Sequence, residues 1–124
     1  MQTIISPIPD PVFSYPFFHN TQKTAFFDIE TTGLSPKASS LYLIGMMYFN
    51  QEEEHWELCQ WFADDYQSEP LLLESFFQKL EQYSYLYHFN GQTFDIPYIL
   101  KKCEKHSITP SDHCMQILSD TASL

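Results

Sequence analysis

Two acidic residues, Asp28 and Glu30, lie one residue apart at the end of a short apolar run. Residues 25–27 are apolar and a glycine at position 33 closes the stretch, which is typical of a buried strand that ends in a turn. Because side chains alternate along a strand, both carboxylates point to one face, with Cα atoms about 7 Å apart. Such a pair is costly unless a cation lies between the acids, and oxygen ligands suit Mg²⁺ or Mn²⁺. The spacing therefore predicts a divalent-metal site; two hydrated acids at a fraying strand end are the alternative.

A third acid, Asp95, follows a second strand-to-turn signal. Residues 85–89 are mostly aromatic, an Asn-Gly pair stops them, and Asp95 comes at the start of a predicted helix. A helix N-terminus carries partial positive charge, which favours an ionised acid in the first turn. We expect Asp95 to complete a cluster with the first two acids; an ordinary helix entry with a capping acid is the alternative.

The elements that position these acids predict an α/β fold with a mixed sheet. Strands are predicted over 41–49, covered on both faces, and over 55–63, joined by a polar hairpin. A helix from Ser68 to near Tyr83, a strand over 85–89 and a helix over 94–106 follow. The last helix divides into inward apolar residues and outward lysines: Ile96, Ile99, Leu100 and Cys103 against Lys101, Lys102 and Lys105. Residues 107–124 close no obvious element, although 115–118 could begin a strand.

Residues 1–23 are predicted to form an extended segment ahead of the domain at 24–124. Four prolines between positions 7 and 16 forbid a continuous helix there. The aromatic residues at 13–18 are too apolar for a free tail, so we expect them to fill a groove. Residues 20–23 should form the turn into the first strand.

Composition limits the classes of function. A chain of 124 residues that is 44% apolar and 17% aromatic fits one domain with a real core. A net charge of −10 with 6 basic residues argues against nucleic-acid binding through a basic patch, although bound metal ions would remove that objection. Three cysteines form no even disulfide set, and neither a leader pattern nor a membrane-length apolar run occurs. We therefore expect a cytoplasmic location and no membrane contact.

Two strings resemble a known family. The string from Phe27 to Leu34, Phe-Asp-Ile-Glu-Thr-Thr-Gly-Leu, resembles the first motif of the DEDD 3'–5' exonucleases of the ribonuclease H-like superfamily. The string from Asn90, Asn-Gly-Gln-Thr-Phe-Asp-Ile-Pro, is similar to the second motif of a bacterial branch of that superfamily with a predicted exonuclease domain. The acidic hairpin at 50–65 also resembles that branch, and the resemblance covers about residues 24–106.

The resemblance implies 3'–5' cleavage of a single-stranded nucleic acid end by a two-metal mechanism. In such an enzyme Asp28, Glu30 and Asp95 hold two Mg²⁺ or Mn²⁺ ions about 4 Å apart. Four residues are implied in substrate binding, through backbone N–H groups, contact with the terminal base or orientation of the third acid: Thr31, Gly33, Leu34 and Asn90. DNA and RNA both remain possible substrates.

One part of the family pattern is absent. Such exonucleases need a fourth acid on a later helix, preceded at short spacing by a Tyr or His base, and neither Asp112 nor Asp120 fits that spacing. We therefore expect either the front part of a longer protein or a truncated one, with the C-terminal strand and helix of the fold missing. A sheet without its fifth strand would expose an edge and could self-associate.

Two other classes of function stay open. A catalytically inactive ribonuclease H-like binding module would explain the missing fourth acid. A zinc site could use Cys103, His106, His113 and Cys114, although adjacent His113 and Cys114 are an unusual ligand pair. Cys103 also fits the apolar face of its helix. No P-loop or Rossmann glycine pattern occurs, which excludes those nucleotide-binding classes.

Overall fold

The computed structural model describes residues 1–8, 21–88 and 94–123, with the backbone alone at residues 21, 122 and 123. Four strands come first along these ranges, and three α-helices and two further strands follow. Their bounds are β1 Gln2–Ile8, β2 Thr24–Thr31, β3 Leu41–Asn50, β4 His55–Phe62, α1 Glu69–Leu80, β5 Tyr85–His88, α2 Ile96–Lys105, α3 Asp112–Ser119 and β6 Ala122–Ser123. Short 3-10 turns at Thr21–Lys23 and Tyr66–Ser68 lead into β2 and α1.

The strands form one six-stranded mixed sheet in the order β1-β4-β3-β2-β5-β6. β2, β3 and β4 form an antiparallel meander, and β1 pairs antiparallel with β4. β5 and β6 add in parallel on the other side of β2, as helical connections allow. The predicted α/β class and the three-stranded antiparallel start are confirmed.

The helices cover one face of the sheet. Alternate residues of β2 enter the same buried core as α1, α2 and α3: Ala25, Phe27 and Ile29. Phe27 packs on Phe76 of α1, with ring centroids 5.5 Å apart. Strand alternation turns Asp28 and Glu30 to the opposite face, where both acids are exposed although Phe26 on the same side is buried. In β3 only every second residue from Ile44 to Tyr48 is fully buried, so the predicted two-sided burial of this strand is wrong.

The region after α2 differs from the prediction. Residues 115–118 lie within α3 rather than in a strand. The Ser111 hydroxyl accepts a hydrogen bond from the Cys114 N–H and caps this helix, and Cys114, Ile117 and Leu118 are its buried residues. That three-to-four spacing is typical of a helix. It outweighs the short apolar run at 115–118, which indicated a strand. A parallel strand, β6, then pairs with β5, so the expectation that no strand follows β5 at this edge is wrong. Self-association through a bare edge stays a prediction.

The N-terminal residues add a strand to the sheet. β1 lies at its outer edge, where a proline such as Pro7 is tolerated because no further strand needs its missing N–H. Residues 9–20, with the predicted groove-filling aromatic side chains, lie outside the described residues, and the boundary between 1–23 and 24–124 stays a prediction. No helix in the described ranges is both long and apolar enough to cross a bilayer.

Two details of the helices are corrected. α1 ends at Leu80 rather than near Tyr83. In α2, Lys102 is 1% exposed and does not face outward as predicted. Lys102 follows Ile99 by three residues, which places it on the buried face of the helix.

Candidate metal and nucleic-acid site

Asp28 and Glu30 are both exposed near the end of β2. The residue paired with Asp28 on β3 is Gly45. A Cβ added at Gly45 would meet no atom within 4 Å, so the space beside Asp28 is open. An open cavity of about 290 Å³ begins here. Besides the two acids, mostly apolar residues line it: Phe26, Phe27, Leu43, Gly45, Met47, Leu58 and Gln60.

Asp95 reaches the same region from the other side of β2. The parallel pairing of β2 with β5 ends at Phe27 and His88, and Asp95 is the N-cap residue of α2, where its side chain makes no capping hydrogen bond. Its carboxylate accepts instead from the backbone N–H of Ile29. Asp95 is 3% exposed, so the third acid is buried whereas the first two are not.

The neighbours of Asp95 disfavour its charge. Burial, the charge of Asp28, a hydrogen bond with the Asp28 carboxyl group and the charge of Glu30 raise the pKa of Asp95 from 3.8 to about 6, although the Ile29 N–H acts to lower it. Two carboxylates this close repel each other unless a proton or a cation lies between them. Asp28 and Asp95 are therefore in direct contact, and Glu30 acts on Asp95 through its charge.

The donor set fits a divalent cation. Oδ2 of Asp95 is buried and has no hydrogen-bond partner among the described residues, which in a native protein calls for an explanation such as an ion. Carboxylate oxygens from several acids are the ligands that Mg²⁺ and Mn²⁺ prefer. Within the described part of the chain, however, no three His, Cys, Asp or Glu side chains are grouped to hold an ion. The geometry thus offers one close acid pair with a third acid nearby.

The β2–β3 loop, residues 32–40, follows the acids directly. The register of β2 and β3 shifts between Glu30 and Thr31. Oγ1 of Thr31 donates to the carbonyl oxygen of Gly33 at 2.7 Å, and the Thr32 N–H donates to the carbonyl oxygen of Ser40 at 2.9 Å. Leu34 is 84% exposed. The loop therefore has an ordered base and an apolar side chain at its surface.

The four zinc candidates are not part of this cluster. Asn90 lies outside the described residues. Of the four zinc candidates, His106 contacts Glu69, and His113 Nε2 lies 2.8 Å from the carbonyl oxygen of Tyr83. Cys103 and Cys114 are buried in the core. Each of the four thus has another structural environment.

The sequence analysis did not identify four residues that hold the β2–β3 loop in place. These are Ser39 within the loop and three residues on α1 and α2: Glu69, Tyr98 and Lys102. Glu69 and Lys102 form a buried ion pair, with Nζ 3.2 Å from Oε2. The position of Lys102 on its helix could have revealed that this lysine is buried, because it lies three residues after the buried Ile99. Nothing in the sequence alone indicated which acid would meet it.

The mixed sheet with its three helices is consistent with a ribonuclease H-like fold. A family model described as the RNase H superfamily matches residues 25–123. The chain belongs to the RNase H superfamily.

Among solved structures, the chain is similar to the family B DNA polymerase from the hyperthermophilic archaeon Pyrobaculum calidifontis, with a TM-score of 0.53 and 14% sequence identity. The match covers 68% of this chain and only 11% of that polymerase. At this identity the likeness concerns the fold alone. No curated protein sequence matches the chain.

Proposed function

We propose that this chain is a divalent-metal-dependent nuclease domain of the DEDD type that removes nucleotides from the 3' end of a single-stranded nucleic acid. The contact between Asp28 and Asp95 carries the proposal, because it joins acids from two chain segments and includes a buried carboxylate oxygen that no other described residue bonds. Membership of the RNase H superfamily supports the same class of activity. The bacterial exonuclease branch is the proposed subgroup.

The three acids are the residues that would hold Mg²⁺ or Mn²⁺. Two bound ions would supply a more acidic water and would stabilise charge on the leaving 3' oxygen. Burial and the Ile29 N–H fix the carboxylate of Asp95, whereas Asp28 and Glu30 stay exposed towards substrate. Because the chain carries a net charge of −10, phosphate approaches this surface only once cations have offset the acids.

The β2–β3 loop supplies the proposed substrate contacts. The backbone N–H groups of Thr31 and Gly33 would bind the last nucleotide. The exposed side chain of Leu34 would pack against the terminal base, since an apolar group at 84% exposure gains from being covered. Asn90 is proposed to orient Asp95 or to touch the substrate.

A catalytically inactive module of the same fold is the second candidate. It is favoured by the finding that, within the ranges that the structure describes, no three potential ligands are grouped to hold an ion. In this case the chain would bind a nucleic acid end or a single cation without cleaving the phosphodiester.

The test is digestion of 5'-labelled single-stranded DNA and RNA with Mn²⁺, with Mg²⁺ and with EDTA. The proposal predicts products that shorten from the 3' end with either ion and no shortening with EDTA. A substrate blocked at its 3' end should resist cleavage, which separates an exonuclease from an endonuclease. Intact substrate under all conditions, together with measurable Mn²⁺ binding, would replace the proposal with the second candidate.

A further inference from the structure

We propose that a polar cluster of the buried Glu69 and Lys102 with the partly exposed His106, here called the charged clamp, positions the β2–β3 loop for the 3' end of the substrate. These residues lie on α1, α2 and the end of α2, outside the acid cluster. The inference rests on the proposed function for the role of the loop, but the clamp itself is defined by contacts that involve no substrate.

Glu69 is the centre of the charged clamp. It is 3% exposed, and both carboxylate oxygens are engaged. Oε2 accepts from the backbone N–H of Leu41 at 2.8 Å and lies 3.2 Å from Nζ of Lys102. Nε2 of His106 donates to Oε1 at 2.6 Å. One side chain at the start of α1 therefore ties the first residue of β3 to α2.

Lys102 extends the charged clamp into the loop. Its Nζ donates to the carbonyl oxygen of Ser39 at 2.7 Å. The Ser39 hydroxyl lies 2.8 Å from the hydroxyl of Tyr98 and 3.2 Å from the carbonyl oxygen of Gly33. A continuous series of polar contacts thus runs from the buried ion pair to the glycine that would meet the last nucleotide.

The contacts with the loop are specific in a way that apolar packing is not. The clamp reaches the backbone at two adjacent points, the carbonyl oxygen of Ser39 and the N–H of Leu41. Apolar residues of the same volume often match or exceed the stability of a buried ion pair, but they cannot bind a backbone carbonyl or N–H. Leu34, exposed at the other end of the loop, contributes little packing to hold it. The clamp therefore fixes the path of the loop.

The test uses the double variant Glu69→Leu/Lys102→Met, which removes both charges together and so leaves neither one buried alone. His106, 20% exposed at its side chain, can turn to water. Lys105→Met, on the exposed side of α2, is the matched control. Amide hydrogen exchange is followed at Thr32, whose N–H donates to the carbonyl oxygen of Ser40 within the loop rather than to a clamp residue. An amide of β4, such as that of Cys59, serves as the internal reference.

The proposal predicts that exchange at Thr32 becomes at least about tenfold faster in the double variant, with Cys59 and the control variant unchanged. In the digestion assay KM should rise at least about fivefold with kcat nearly unchanged, because loop contacts bind the terminal nucleotide before and during reaction. His106→Leu, which removes the contact with Oε1 of Glu69 and leaves the Glu69–Lys102 ion pair in place, should give a smaller change in the same direction.

Unchanged exchange at Thr32 in a folded double variant would overturn the proposal, and if that variant does not fold, unchanged exchange in His106→Leu would do so. Faster exchange with unchanged KM would overturn the link to substrate. Because exchange is measured without substrate, a wild-type protein that cleaves nothing would refute the proposed function while the exchange result still decides whether the clamp holds the loop.

Discussion

Two buried acids in this chain have opposite surroundings. Asp95 and Glu69 are each 3% exposed, and burial acts to raise the pKa of both. The pKa of Asp95 is indeed raised, but that of Glu69 is lowered, because hydrogen bonds from His106, Leu41 and Lys102 outweigh its burial. Asp95 instead meets two further acids and a single N–H donor.

The difference shows that burial alone does not assign a role to an acid. Glu69 is neutralised by donors from its own chain and so stabilises a fixed arrangement. The neighbours of Asp95 are also acidic, so its ionised carboxylate becomes more stable when a cation binds from outside the chain. We infer a positioning role for the first acid and a metal-binding role for the second.

The largest expected effect is on catalysis at the acid pair. Asp28→Asn keeps the size of the side chain but removes a charged ligand, so metal-stimulated cleavage should fall by more than about 100-fold. The exposed Asp120 provides a matched control, since Asp120→Asn makes the same chemical change away from the site. Digestion assays, with circular dichroism to verify folding, check this; full activity in Asp28→Asn would refute the assignment of the site.

The next effect is on stability at the charged clamp. Glu69→Ala leaves Lys102 buried without its counterion, so the free energy of unfolding should fall by about 3–5 kcal/mol. Glu69→Leu/Lys102→Met should lose much less, because neither charge remains uncompensated. Urea unfolding followed by tryptophan fluorescence measures both. If Glu69→Ala were no less stable than the double variant, the charge of Lys102 would not be what stabilises the buried Glu69.

Asp95→Asn should have the opposite effect on stability in metal-free buffer. Folded Asp95, with its pKa raised from 3.8 to about 6, binds its proton more tightly than the unfolded chain does. The contribution of this group to the free energy of unfolding therefore decreases as pH rises from 3.8 to about 6. At pH 7.5 the variant should be more stable than wild type by about 2–3 kcal/mol. Equal stability of the two proteins would show that Asp95 is not electrostatically strained.

The smallest expected effect is the acid limb of the stability curve. The pKa of Glu69 lies below its ordinary value of 4.5, so its contribution to stability is complete above pH 4.5 and is lost as pH falls through the lowered pKa. Glu69→Gln should therefore lose less stability than wild type between pH 4.5 and the lowered pKa. Thermal unfolding across that range tests this, and parallel curves would contradict it.

The sequence predicted the positions of the three acids better than it predicted the contacts that hold the β2–β3 loop beside them. A period of two places Asp28 and Glu30 together on any strand, and the helix start after a strand indicated the approach of Asp95. The Thr32–Ser40 pairing and the charged clamp depend on contacts between residues distant in the chain. Lys102 was placed outside because lysine is rarely buried, whereas its helical position and the unforeseen partner Glu69 placed it inside.

The C-terminal part of the fold was harder to predict, because α3 and β6 also depend on contacts with residues distant in the chain. The run at 115–118 is too short for its apolar residues alone to separate a strand from a buried helix. Packing of Cys114 and Ile117 against the core favours the helix α3 over a strand. The two residues of β6 carry no alternation that a sequence pattern could detect, and only the neighbouring β5 identifies them as a strand.

The most direct test of the central claim is anomalous scattering from crystals soaked in Mn²⁺. The account predicts a manganese peak within bonding distance of carboxylate oxygens of both Asp28 and Asp95. It also predicts that this peak disappears in Asp95→Asn. Crystals that contain no manganese at this position, with the two acids still bonded to each other, would contradict the claim.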